Sequence, residues 1–114
     1  MRHVLMLDLI DDPDKIARYE AWHAAGAVPP EVVRSIRAAD IAGMEIHRLG
    51  DRLVMILETG PAFSSEAKAA ADAADPDVQA WERLMDGFQK PTPFARQGEK
   101  WTPAARIFSL DEQP

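Results

Sequence analysis

The order of patterns along the 114 residues predicts an α+β domain: one four-stranded antiparallel sheet with its helices on one face. Three observations point there. Apolar runs of strand length open the chain, recur as a pair in its middle and return near its end. Two helical stretches lie between them, each carrying an aspartate–proline start signal, Asp12-Pro13 and Asp75-Pro76. A Gly50-Asp51 turn dipeptide separates the middle pair. With each helical stretch counted as one crossover, the order is βαββαβ.

Residues 2–10 read as a strand, with Val4, Met6 and Ile10 on one face and Leu5, Leu7 and Leu9 on the other. Asp12 offers a capping oxygen, Pro13 suits the first helical position and Asp14 favours the positive end of the helix dipole. This helix is expected to run to about residue 25 and to end at Gly26. Pro29-Pro30-Glu31 starts a second helical piece whose Val32, Val33 and Ile36 form one stripe. Residues 44–49 and 53–58 flank Gly50-Asp51 as an antiparallel hairpin. Ser64 or Ser65 caps an alanine-rich helix over 66–74, and Asp75-Pro76 opens another helix with Val78, Trp81, Leu84, Met85 and Phe88 on one face. Residues 90–100, rich in proline and glycine, read as a loop, and residues 105–110 as the closing strand. The plan is ferredoxin-like. Strand one is apolar on both faces and no element is left to cover the side away from the helices, so a homodimer with sheets packed face to face is expected.

Composition narrows the function. A chain of this length is one domain, residues 1–114, and its 46% hydrophobic and 28% charged residues are those of a globular protein. With 13 Lys+Arg against 19 Asp+Glu the net charge is −6, which repels nucleic acid and anionic membrane surfaces and leaves a small neutral molecule as the easier partner. With Cys 0, disulfides, thiolate nucleophiles and cysteine-bound zinc are excluded. No apolar run has the shape of a signal peptide or the length of a membrane span, so the cytoplasm is the expected compartment. His3 and His47 have no partners at metal-ligand spacing, so no metal is expected, and neither a phosphate-binding glycine loop nor a nucleophile elbow is present, so nucleotide and acyl-transfer chemistry lack support.

Two pairs of residues could do chemistry. Tyr19 and His23 lie one turn apart on one helix face, so both can address one small cavity: the imidazole gives or takes a proton, and the phenol donates to a sugar oxygen. The same pair also fits a packing tyrosine beside a helix-capping histidine. Trp81 and Glu82 form the second pair, an indole that stacks on a pyranose face and a carboxylate that accepts hydroxyl protons. Trp81 fits a core stripe equally well, and Glu82 a solvated charge.

The residues Asp11-Asp12-Pro13, Tyr19-Glu20-Ala21-Trp22-His23, Pro30-Glu31-Val32-Val33, Met44-Glu45-Ile46, Arg48-Leu49-Gly50, Trp81-Glu82, Phe88-Gln89 and Gly98-Glu99-Lys100-Trp101 together resemble the L-rhamnose mutarotase family, and most closely its L-fucose mutarotase-like branch. The resemblance spans nearly the whole chain. It implies a dimeric α+β barrel that interconverts the α and β anomers of 6-deoxy sugars without a cofactor, an isomerase working by acid–base ring opening. It further implies that His23 is the proton donor and that Tyr19 and Trp81 bind the sugar. Met44, at the position of a sugar-contacting strand tyrosine, follows the fucose-like branch. Glu31 or Glu82 is the candidate base. The family's Trp-Trp pair reads Ala80-Trp81 here, Pro29 stands where a tryptophan is usual, and His47 where the branch favours tyrosine. Two other functions fit the same fold: a catalytically silent sugar-binding module, and a cofactor-free monooxygenase.

Overall fold

A computed structural model describes residues 1–114. Its elements are β1 (Arg2–Leu9), α1 (Pro13–Trp22), α2 (Pro30–Ala38), β2 (Ile41–Leu49), β3 (Arg52–Thr59), α3 (Ser65–Ala74), α4 (Pro76–Asp86), β4 (Gln89–Lys90) and β5 (Thr102–Pro103), followed by a 3₁₀ turn at Leu110–Glu112. The sheet is antiparallel in the order β2-β3-β1-β4, with β5 also on β1. This is the ferredoxin-like strand order, in which β3 of the hairpin inserts between β2 and β1. No helix is long and apolar enough to cross a membrane.

The local signals act as expected. The Asp12 carboxylate accepts from the amides of Asp14 and Lys15, Asp75 does the same for Asp77 and Val78, and the Ser64 hydroxyl accepts from Ala67. Leu49 pairs with Arg52 across a two-residue turn in which Gly50 takes φ 59°, a conformation that costs glycine nothing.

Two expectations are corrected. Helix α1 ends at Trp22, with His23 as its C-cap, and Gly26 belongs to the turn beyond. The cause is local: the His23 ring takes the Tyr19 carbonyl that the His23 amide would have bonded had the helix continued, and that amide bonds Glu20 instead. The closing strand is also not at residues 105–110. The fourth lane of the sheet is split: β4 lies opposite Asp8 and Leu9, β5 lies opposite Leu5 and Met6, and residues 91–101 leave the sheet between them. After the Ala104 amide bonds the Val4 carbonyl, the chain parts from β1 and leaves Ile107, Phe108 and Leu110 exposed. Apolar character alone could not show that the chain would leave β1 after Ala104.

The two sides of the sheet differ. Leu7, Leu9, Leu53, Met55 and Leu57 face the helices and are buried; Leu9 and Leu53 cluster with Tyr19, Met85 and Phe88, and Met55 and Leu57 with Ile41. Burying such a side chain contributes about 1.5–3 kcal/mol, so this side carries most of the stability. On the outer side Val4, Met6, Val54 and Ile56 are only half-buried, framed by the pairs Arg2–Glu58 at 2.8 Å and Arg52–Asp8 at 2.8 and 3.1 Å.

Candidate active site

Helix α1 carries Tyr19 inward, where its ring is buried among Leu9, Leu53, Met85 and Phe88. Its hydroxyl accepts from Gln89 Nε2 at 3.1 Å. Burial pushes the phenol pKa upward against the opposing pull of that hydrogen bond, so Tyr19 stays a neutral donor.

One turn on, the His23 ring lies 4.2 Å from the Tyr19 ring and 5.4 Å, edge on, from Trp81. His23 Nδ1 sits 2.6 Å from the Tyr19 carbonyl. A carbonyl only accepts, so Nδ1 carries the hydrogen and Nε2 is the nitrogen left for a ligand. In the neutral ring Nε2 is a base; in the cation it is an acid. Trp22, 39% exposed, packs edge on against Trp81 at 6.0 Å and extends the aromatic wall toward solvent.

The structure therefore brings Tyr19, His23 and Trp81 together. Met44 lies on the same side of the sheet but in the neighbouring cluster, joined to the first through Ile46 and Trp101, which pack against both. Glu82 follows Trp81 and is held by Lys100 at 3.3 Å, while the same ammonium reaches Asp86 at 2.5 Å. Glu31 sits exposed in the first turn of α2, and Pro29 is that helix's N-cap. His47 points to the outer side, where Nε2 meets Glu45 at 3.0 Å, so it adds no group to the Tyr19–His23–Trp81 cluster.

Sequence reasoning missed three contributors. Trp101 was visible only as part of a motif, since it leaves an irregular segment to pack on both clusters. Arg48 reaches from β2 to Glu20 of α1 across the site's edge, a pairing of residues 28 apart that no local pattern reveals. Gln89 lies just before the expected loop over 90–100, in a two-residue strand that local pattern does not mark.

An imidazole with one uncommitted ring nitrogen, edge on to an indole and stacked near a buried phenol, has the groups that acid–base chemistry on a small polar molecule requires. The family model described as L-rhamnose mutarotase matches residues 2–110. An L-fucose mutarotase from Xanthomonas campestris pv. campestris is 54% identical over 107 residues, covering 94% of this chain and 86% of the relative. The crystal structure of an L-rhamnose mutarotase from Formosa agariphila superposes with a TM-score of 0.69 at 13% identity, covering 96% of this chain and 98% of that one, and so supports the fold. The chain belongs to the L-rhamnose mutarotase family, and its activity is the interconversion of sugar anomers.

Proposed function

We propose that the chain interconverts the α and β anomers of L-fucose, with His23 as the acid. The observation that carries this reading is the committed Nδ1 of His23, which leaves Nε2 as a single exchangeable proton site beside Trp81. His23 Nε2–H protonates the ring oxygen while a base removes the anomeric hydroxyl proton. The bond between C1 and the ring oxygen breaks, the open aldehyde turns about its C1–C2 bond, and the ring closes on the other face with both protons returned. No covalent intermediate forms, and such proton transfers contribute about 10²–10⁴-fold. Glu82 is the favoured base, because it is half-buried on the turn of α4 that carries Trp81 and is anchored by Lys100, whereas Glu31 is exposed. Tyr19 donates to a sugar oxygen, Trp81 stacks on the ring, and Met44 offers apolar contact to the C5 methyl. The family match and the 54% identical relative favour this over a silent sugar-binding module or a monooxygenase.

The working unit is a homodimer in the cytoplasm. Supporting the dimer are the half-buried Val4, Met6, Val54 and Ile56 on the outer side and the exposed Ile107, Phe108 and Leu110, apolar surface that a second copy would cover. Exchange NMR on the anomeric protons of L-fucose and L-rhamnose, with uncatalysed mutarotation subtracted, tests the choice of sugar. L-Fucose is expected to exchange faster by roughly 5- to 150-fold, the effect of about 1–3 kcal/mol for one hydroxyl left unpaired in the wrong epimer. Faster exchange of L-rhamnose overturns the assignment of L-fucose.

A further inference from the structure

Only one buried side-chain polar atom of the chain has no hydrogen-bond partner, Oε1 of Gln89, and it lies beside the site. Gln89 pairs with Leu9 across β4 and β1 and so faces the helices, where its Nε2 holds the Tyr19 hydroxyl at 3.1 Å. Buried amide groups in native proteins are nearly always filled at both ends, because an orphaned one forfeits its hydration without return.

Turning the amide over does not remove the deficit. The Tyr19 hydroxyl would then donate to Oε1, and Nε2 would become the orphan. A hydroxyl suits either orientation, since it both donates and accepts, and a monosaccharide presents several.

Gln89 also borders a cavity of about 490 Å³, next to but outside the Tyr19–His23–Trp81 cluster, whose lining includes Asp86, Thr92, Glu99 and Lys100. Its volume is within the range of roughly 300–1,000 Å³ usual for small-ligand sites, and a rotation of the Gln89 amide would bring Oε1 to it. Lys100 ties that cavity to Glu82 and hence to the turn of α4 that carries Trp81. The split fourth strand makes this space, because residues 91–101 leave the sheet immediately after β4.

We infer that Gln89 is a substrate-binding residue, one end of its amide holding the Tyr19 hydroxyl and the other receiving a hydroxyl of the sugar. The inference rests on the reading of the Tyr19–His23–Trp81 cluster as the sugar site. Gln89 thereby occupies a lone pair of the phenol and leaves the Tyr19 O–H free to point at the substrate. An ordered water at the orphaned end is the competing occupant.

Titrating ¹⁵N-labelled wild-type protein with L-fucose separates these outcomes. The Gln89 side-chain amide signals are expected to shift with the same midpoint as the Trp81 indole N–H. A response of Trp81 without Gln89 overturns the inference alone; no response of either signal to L-fucose or L-rhamnose overturns the site reading and the inference with it. Kinetics give a second measure. Gln89→Leu is expected to raise KM about tenfold with kcat changed by less than about threefold, and to do so also in a Tyr19→Phe background, where the bond between the two residues is already lost. An unchanged KM in that background shows Gln89 acting only through Tyr19 or on water, and overturns the direct contact.

Discussion

The helix side of the sheet holds His3 and His23 and the outer side His47, and the contrast between His23 and His47 bears on where the proposed chemistry lies. On the helix side, His23 commits Nδ1 to a backbone carbonyl 2.6 Å away and leaves Nε2 beside Trp81. On the outer side, exposed His47 spends Nε2 on Glu45 at 3.0 Å. Both are imidazoles on the same sheet-and-helix frame. One is oriented by a fixed acceptor next to the Tyr19 and Trp81 rings; the other makes an exposed hydrogen bond with a carboxylate, of a kind that contributes little. What surrounds a titratable group, more than its identity, decides what it can do.

Exchanging the two histidines for alanine sharpens the contrast most. His23→Ala is expected to lower the rate of anomer exchange by about 10²–10⁴-fold with the circular dichroism spectrum preserved, because the ring caps a helix end and fills no core space. His47→Ala is expected to stay within about threefold of wild type. Equal losses in both variants would erase the distinction between the two sides.

The outer side has its own test. Ile56→Asp places a charge in the half-buried apolar patch and is expected to bring the mass by light scattering from about twice 12.6 kDa to 12.6 kDa. A wild-type mass of 12.6 kDa at micromolar concentration would instead leave that face with no partner copy.

A smaller effect is expected where the helix layer meets the sheet. A Cβ on Gly60 would clash with the Asp40 carboxylate, which cannot withdraw freely because it accepts from the Ala62 amide at 2.8 Å. Gly60→Ala should therefore cost about 1–3 kcal/mol in urea unfolding, as overpacking does elsewhere. An unchanged midpoint would mean that the Asp40 turn yields.

The smallest effect is alkaline. The folded-state pKa of Tyr19 lies above its ordinary value of 10.0 because the phenol is buried, so above that pH the unfolded chain releases a proton that the folded one retains. Stability then falls as pH rises through that range, and the stabilisation is fully present below it. Tyr19→Phe should flatten this part of the stability–pH curve, and a parallel curve would assign the alkaline loss to other groups.

Much of this was legible in the sequence, for identifiable reasons. Caps at Asp12, Ser64 and Asp75 and the Gly50 turn are short-range devices, so they can be read from neighbouring residues. The spacing of Tyr19 and His23 already placed both on one helix face. Trp81 joins them only through packing of α4 against α1, which spacing cannot show; the family resemblance supplied that link. The split fourth strand escaped because each piece is two residues long and is defined by its partner β1 rather than by its own pattern. The apolar residues 105–110 misled for the reverse reason: they look like a strand, but the chain parts from β1 after Ala104 and they pair with no strand. Gln89 and Arg48 stood in the motifs, but their contacts were not legible because their partners, Tyr19 and Glu20, are 70 and 28 residues away.

The most direct test of the account is saturation-transfer NMR on the anomeric protons of L-fucose at neutral pH, read against protein concentration and a buffer blank. The account predicts an exchange rate that rises in proportion to wild-type protein and stays near the blank at every concentration of the His23→Ala variant. A rate that remains at the blank with wild-type protein, while the Trp81 indole signal reports bound sugar, would contradict it.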